Sequence, residues 1–244
     1  FRERLVKNVP YIKWDGKIHE VLRGQKNTAH FDDILRVVDR RDGKGQGVRT
    51  EDRNFKVMWH SMMEDGYVPK ARDYLLMGRD ISHKCFNIAY KTLRLAAHLS
   101  TWMEEKAWAF SLLGQLHDRR GRETKVLDYF AQAVSFYDQS LCVYPYEKTA
   151  SLQALSYASM DDWENCIKSY ENSVWLRWKM SLLDHSPVVT KATKMVAATA
   201  YKMVGNLEMA KMVCEECMAD MPGNEVLQRL HGTIIKQLSI GKGG

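Results

Sequence analysis

Apolar positions along this chain follow helical spacing, and in its last third one arrangement of them occurs twice. Ala154, Tyr157, Cys166, Tyr170 and Ser173 are matched, 44 residues later, by Ala198, Tyr201, Ala210, Cys214 and Cys217. In each copy a small residue is followed at +3 by tyrosine, then at +9 by a small residue, at +4 by a larger one and at +3 by a small one. A fixed internal period with small residues at helical intervals marks stacked helical hairpins. The small residues let antiparallel helices approach closely, and the aromatic fills the groove between them. Gly205 stands four residues after Tyr201, where a left-handed helix stop is expected. Pro222 follows the last periodic position, as it does beyond a helix end.

Upstream the spacing predicts a helix over 31–40, from Phe31, Ile34, Leu35 and Val38, and a glycine-rich loop over 41–49. A second helix is predicted over 50–65, stopping at Gly66, and a third over 69–77 with Pro69 at its first position. A fourth spans 82–99, after which Thr101 is expected to cap the next helix. Residues 225–238 are amphipathic, with Val226, Leu227, Leu230, Ile234 and Leu238 on one side, and suit a terminal cap on an open stack. Alternation of apolar and polar residues is nowhere sustained, so no strand is predicted. The expected fold is all-α: antiparallel helical hairpins stacked as a short α-solenoid, with an N-terminal extended arm. Its parts are an extended basic arm over 1–28, helical hairpins over 29–100, repeats over 101–223, and a capping helix with a frayed tail over 224–244.

Ala197, Ala198, Tyr201, Gly205, Ala210, Cys214, Cys217 and Pro222 resemble the tetratricopeptide repeat in both order and spacing. The preceding copy matches at Ala154, Tyr157, Cys166, Tyr170 and Ser173, with Asp161 for the turn glycine and Trp178 for the proline. A looser copy has Leu113 and Gly114 on its first helix and Ala133, Tyr137, Ser140, Leu141 and Pro145 on and after its second. Its halves stand seven residues further apart than in the family pattern, and the run Asp118-Arg119-Arg120-Gly121-Arg122 fills that gap. The resemblance covers roughly 102–223. Separately, Met62, Gly66 and Pro69 resemble the end of one pentatricopeptide repeat.

Composition narrows the class. An apolar share of 45%, with seven Trp and eleven Tyr, is that of a folded chain. No apolar run approaches the roughly 18–20 residues of a membrane span, so no transmembrane segment is expected. Five cysteines at helical positions suit a reducing compartment better than a disulfide framework. Charge is uneven: residues 1–60 hold 14 Lys and Arg against 9 Asp and Glu, whereas 61–244 hold 22 against 21. The basic surplus therefore sits at the N-terminal end, where Arg40, Arg41, Lys44 and Arg49 are candidate contacts to RNA or an acidic partner, against a plain solvated tail. Phe1 marks either a processed N-terminus, as after a cleaved mitochondrial presequence, or the start of a fragment.

Candidate chemistry is thin. Cys214 and Cys217 have the spacing of half a zinc site, but no second pair exists and both fall on small-residue positions, so they read as packing. The loop at 39–47 has Arg41 and Gly43 where a calcium loop needs oxygen ligands. It has Val38 where a phosphate loop needs glycine. His60, His83 and His98 are read as helix residues in packing or surface roles. Trp175 and Trp178, one turn apart, are read as packing between repeats, with base or peptide stacking as the alternative. No catalytic, cofactor or metal residues emerge, and no enzyme is expected.

The resemblance implies protein binding, with the first helix of each repeat lining the concave groove. The matching groove positions are Lys148, Ser151, Leu155 and Ala158, then Ala192, Met195, Thr199 and Lys202. They lack the Lys and Asn set of family members that grip a terminal carboxylate, and suit an apolar helix or a permanent contact instead. The expected role is a non-catalytic scaffold within a large assembly, on the mitochondrial matrix side or else cytoplasmic, such as a mitochondrial ribosome. Other protein subunits would be its partners, with RNA possible at the basic end. The alternatives are a pentatricopeptide-like RNA-binding protein or an accessory subunit of a respiratory or ATP-synthase complex.

Overall fold

The computed structural model describes residues 13–15, 21–23, 53–64, 66–176 and 188–241. The first elements correct the reading of a strandless arm. Strands β1 (Lys13–Asp15) and β2 (Val21–Arg23) pair antiparallel, with Trp14 opposite Leu22. Three residues are too few for an alternation to show in sequence, although Gly16 and Gly24 follow the two strands as turn signals. The helix expected over 31–40 and the loop over 41–49 lie outside the described residues.

Ten helices follow. Helix α1 (Arg53–Met63) ends before Gly66, whose φ of +64° only glycine adopts freely. Helix α2 (Ala71–Ile81) starts two residues later than expected. Asp73 fixes that start: its carboxylate accepts the Lys70 N–H at 2.9 Å and the Tyr67 hydroxyl at 2.8 Å, so Pro69 lies outside the helix. Helix α3 (Phe86–Leu99) also starts late, because 82–85 form a turn closed by the Lys84 and Cys85 N–H groups on the Ile81 carbonyl. Thr101 is not a cap. Trp102 holds that position without a side-chain bond, and the neighbouring Ser100 hydroxyl donates to Glu105 at 3.0 Å.

Helix α4 (Met103–Thr124) is the main departure from the sequence reading. The seven surplus residues are helical. They continue α4 by about two turns, and the helix stops only at Lys125, which is left-handed at φ +61°. Helices α5 (Leu127–Val143), α6 (Glu147–Ala158), α7 (Trp163–Leu176), α8 (Val188–Met203), α9 (Leu207–Asp220) and α10 (Glu225–Gly241) complete the chain. They pair as α2 with α3, α4 with α5, α6 with α7 and α8 with α9. The first helix of each pair also touches the first helix of the next, which is the stacking of successive hairpins rather than a bundle.

The small positions sit at the helix crossings. Ala154, Ala198, Ala210, Cys166, Cys214 and Cys217 are all fully buried. Gly114 lies under the Tyr137 ring, where an added Cβ would stand 2.3 Å from Cε1. Gly78 does the same against Leu93, at 2.6 Å. Gly78 belongs to a fourth copy of the pattern, continued on α3 by buried Ala89, Leu93 and Ala96 at the +4 and +3 intervals. Both left-handed turns fall as the repeat requires: Gly205 at φ +82° and, in its place one copy earlier, Asp161 at φ +57°. Aspartate is one of the few other residues tolerated there. At the C-terminal end Leu227 and Ile234 of α10 are buried, but Val226 is exposed, so the cap's apolar side is narrower than expected.

Candidate protein-binding groove

The groove positions come from α6 and α8, which lie side by side as first helices of successive hairpins. Lys148, Leu155 and Ala158 on α6 are half-buried, and so are Met195, Thr199 and Lys202 on α8. Ala192 is exposed. Thr199 turns its hydroxyl back to the Met195 carbonyl at 3.2 Å, which satisfies that donor within the helix. The surface that results is mainly aliphatic and thioether, with a lysine on each helix. Ser151 is the exception: it is buried between the helices, and its hydroxyl has no hydrogen-bond partner among the described residues. Arg40, Arg41, Lys44 and Arg49 lie outside the described residues.

A buried polar tie holds α6 to its other neighbours. Asp118 of α4 is 1% exposed and accepts two hydroxyls, Tyr137 of α5 and Ser156 of α6, each at 2.7 Å. Burial raises the Asp118 carboxyl above its usual range, and the Ser156 and Tyr137 bonds and the Arg122 charge pull it back. The Tyr137 phenol is pushed well up by burial and by the carboxylate it serves. Nearby the Ser140 hydroxyl donates to the Ala107 carbonyl at 2.8 Å, and Thr149 donates to Ser111 at 3.3 Å. Gln153 of α6 then bridges Asp138 of α5 and Ser169 of α7, at 2.6 and 3.0 Å. The first helix of the groove is therefore fixed on three sides by bonds that close only in one register.

The α8 side is clamped differently. Lys194 is nearly buried and pairs with Asp220 at 2.7 Å, while Lys191 donates to the Asp220 carbonyl at the end of α9. Two ammonium groups there meet the negative end of that helix. Tyr201 donates to Glu171 of α7 at 2.8 Å, and burial together with that bond raises its phenol.

The sequence assigns no role to His117, and it places Asp118 only at the start of the run that separates the halves of the looser repeat. The imidazole of His117 is 4% exposed, and neither ring nitrogen has a hydrogen-bond partner among the described residues. Four aromatic rings surround it: Phe86 and Tyr90 edge-on at 5.2 and 5.7 Å, with Phe136 and Tyr129 tilted at 5.2 and 5.9 Å. Burial lowers its pKa to about 4, so the ring is neutral at physiological pH. The other histidines differ from expectation in one respect: His83 lies in the turn before α3, not in a helix.

Cys214 and Cys217 are packing residues, with their thiols against the Leu227 and Lys191 carbonyls. Burial raises both thiols, and pushes that of Cys166 up to about 12. Among the described residues no group of three or more His, Cys, Asp and Glu is placed to hold a metal. Trp175 is not packed between repeats: it is 77% exposed, and Trp178 lies outside the described residues. Among the described residues no helix is long and apolar enough to cross a membrane.

A comparison with protein-family models gave no match, and neither did one with curated proteins. Solved structures do match. YrrB, described as a tetratricopeptide protein with an unusual peptide-binding site, superposes with a TM-score of 0.57 at 10% identity, over 75% of this chain and 83% of its own. The APC/C hetero-tetramer Cut9-Hcn1 gives 0.55 at 13% identity, over 79% of this chain and 34% of that one. MamA gives 0.50 at 15% identity, over 68% and 84%. These likenesses concern fold, and they lend no support to a pentatricopeptide segment at 62–69, where the structure has only a helix end and a turn. The chain is folded as a tetratricopeptide-type α-solenoid.

Proposed function

We propose that this chain is a non-catalytic scaffold that offers the α6–α8 face to an apolar segment of another protein. The observation that carries the reading is the pairing of a rigid frame with an aliphatic surface. Leu155, Ala158 and Met195 remain half-open on helices otherwise locked by Asp118, Gln153 and Lys194. Preorganised backbone and adaptable thioether or aliphatic side chains are what an apolar helix needs from a groove. YrrB, of the same fold, is described as having a peptide-binding site, which agrees with that use of the face.

The wider setting is part of the same proposal: a large assembly, on the mitochondrial matrix side, with the mitochondrial ribosome as the leading example. Its support is the charge asymmetry of the sequence, which would put Arg40, Arg41, Lys44 and Arg49 beside RNA or an acidic neighbour. Site-specific photo-crosslinkers at Leu155 and Met195, with one at exposed Ala131 as control, test the groove in cells. One protein captured from both groove sites and not from the control is expected, and equal capture from all three sinks the reading. Tagged full-length protein sedimenting free of ribosomal RNA would remove the ribosomal setting while leaving the groove to stand.

A further inference from the structure

The two-turn continuation of α4 builds something the repeat pattern does not contain. Its outer residues Arg119, Arg120 and Glu123 face the turn between α2 and α3, where Ser82, His83 and Lys84 stand, across a cleft of about 90 Å³. The cleft floor is apolar, made by Phe86 and Leu116. Lys84, Arg119, Arg120 and His83 line it together with Glu123, which is paired with Arg120 at 3.6 Å.

Arg119 decides the chemistry. Its guanidinium is half-buried and donates through Nη1 to the Ser82 hydroxyl at 3.4 Å, and among the described residues no carboxylate pairs with it. The Ser82 hydroxyl is itself oriented, donating to the Arg79 carbonyl at 2.8 Å. A guanidinium carries five N–H donors in a planar fork, and among the described residues this one makes a single weak use of them. Holding such a group half out of water beside an apolar floor costs desolvation that a neutral hydroxyl at 3.4 Å hardly offsets. A tetrahedral oxyanion would accept the fork bidentately and place its remaining oxygens toward Lys84 and Arg120. The start of α3 adds favourable dipole: Phe86 borders the cleft, and Cys85 before it caps the helix with no side-chain bond.

We propose that this cleft binds a terminal phosphate dianion, the group shared by a phosphorylated side chain of a partner and by free inorganic phosphate. A terminal phosphate near two negative charges, presented end-on, suits a short cleft with three cations. A nucleic-acid backbone asks instead for cations spaced along a track, which this cleft is too short to supply. The assignment of the phosphate to a partner protein rests on the scaffold reading above; the oxyanion site does not.

The test uses the full chain, with backbone amide resonances of 82–86 and 119–123 as the readout. Three probes are titrated: inorganic phosphate, a short alanine peptide with a central phosphoserine, and the same peptide unphosphorylated. A single-stranded RNA oligomer is the fourth arm. Phosphate and phosphopeptide are expected to shift those amides and to compete with each other, the phosphopeptide more tightly, and the plain peptide to leave them unmoved. Arg119→Gln and Lys84→Gln should each weaken the phosphopeptide about tenfold or more, while Arg119→Lys keeps part of the affinity. Groove variants at Leu155 and Met195 should not affect it, so loss of groove binding and loss of phosphate binding are separate results. Unmoved amides with millimolar phosphate, or unchanged affinity in both Gln variants, overturn the site. Phosphate binding without any gain from the phosphopeptide overturns the partner source and keeps the oxyanion site. RNA binding there more tightly than the phosphopeptide overturns the proposal.

Discussion

Acid should destabilise this protein through one residue, His117. Its ring is sealed among Phe86, Tyr90, Tyr129 and Phe136, and burial holds its pKa at about 4 instead of the usual 6.5. Below pH ~6.5 the unfolded chain takes up a proton that the folded chain refuses, so stability falls with pH until the folded ring also titrates near 4. At 1.36 kcal/mol per unit that difference is worth about 3 kcal/mol, a large share of a typical stability of about 5–15 kcal/mol. Asp118 works the other way. Its raised carboxyl lets the folded state bind a proton first, so it offsets part of the loss in the acid window just above its usual pKa. Urea denaturation of the wild type and of His117→Phe, at several pH values between about 4 and 7.5, isolates the term. At neutral pH the variant should be about 1–2 kcal/mol more stable, because two buried unpartnered nitrogens are gone. That gap should widen by about 3 kcal/mol as the pH falls to 4. Any crowding by the larger ring is independent of pH, so the widening is the decisive quantity. Parallel curves for the two proteins would refute the argument.

Gly114→Ala should cost about 1–3 kcal/mol in thermal or urea unfolding, since its Cβ would meet the enclosed Tyr137 ring. Gly205→Ala, with open space but φ +82°, should cost only about 1 kcal/mol, and a reversed order would show that the crossing is looser than described. Ala198→Leu over-packs a fully buried position and should cost on the order of 1–3 kcal/mol; an unchanged melting temperature would contradict the repeat register. Asp118→Ala leaves the Tyr137 hydroxyl buried without its acceptor and Ser156 with only the Leu152 carbonyl at 3.2 Å, so a loss of about 1–3 kcal/mol is expected, and a neutral outcome would mean that the tie contributes nothing. All five cysteines should be reduced and metal-free in the purified protein, and stoichiometric zinc lost on Cys214→Ser would overturn that.

The two repeats with intact spacing could be read because each of their small residues has one function, helix approach, and one permitted size. Asp161 could be placed at the turn for the same reason: the left-handed position selects few side chains. The α2–α3 hairpin escaped because Gly78 stands eleven residues before Ala89 instead of twelve and Ile81 replaces the tyrosine, although Ala89, Leu93 and Ala96 keep the interval. The run Asp118–Arg122 escaped for a different reason. Its charge density suggests a solvated loop, whereas the chain uses Asp118 inward, Gly121 against Phe130 and only the arginines outward. Helical continuation through charged residues is visible only when the partner of the buried carboxylate is known, and that partner lies 19 and 38 residues away. The half-buried groove positions were placed by the repeat register, but nothing local in Leu155 or Met195 distinguishes an open face from a core. Trp175 shows the limit in reverse, since its size argued for burial and its helix face is open.

The four small crossing positions, Gly78, Gly114, Ala154 and Ala198, are separated by 36, 40 and 44 residues, and the helices that carry them have 11, 22, 12 and 16. No single screw operation maps one hairpin onto the next. An array built from interchangeable cassettes can gain or lose a unit and remain the same kind of surface; this one cannot. Each junction has its own key, a glycine under leucine, a glycine under tyrosine, an alanine between helices, so a transplanted hairpin would meet a neighbour cut for another shape. Each face of the stack therefore differs from the next, so a partner that fits the α6–α8 face is not expected to fit the face one hairpin away, and its binding should hold one register instead of sliding along a track.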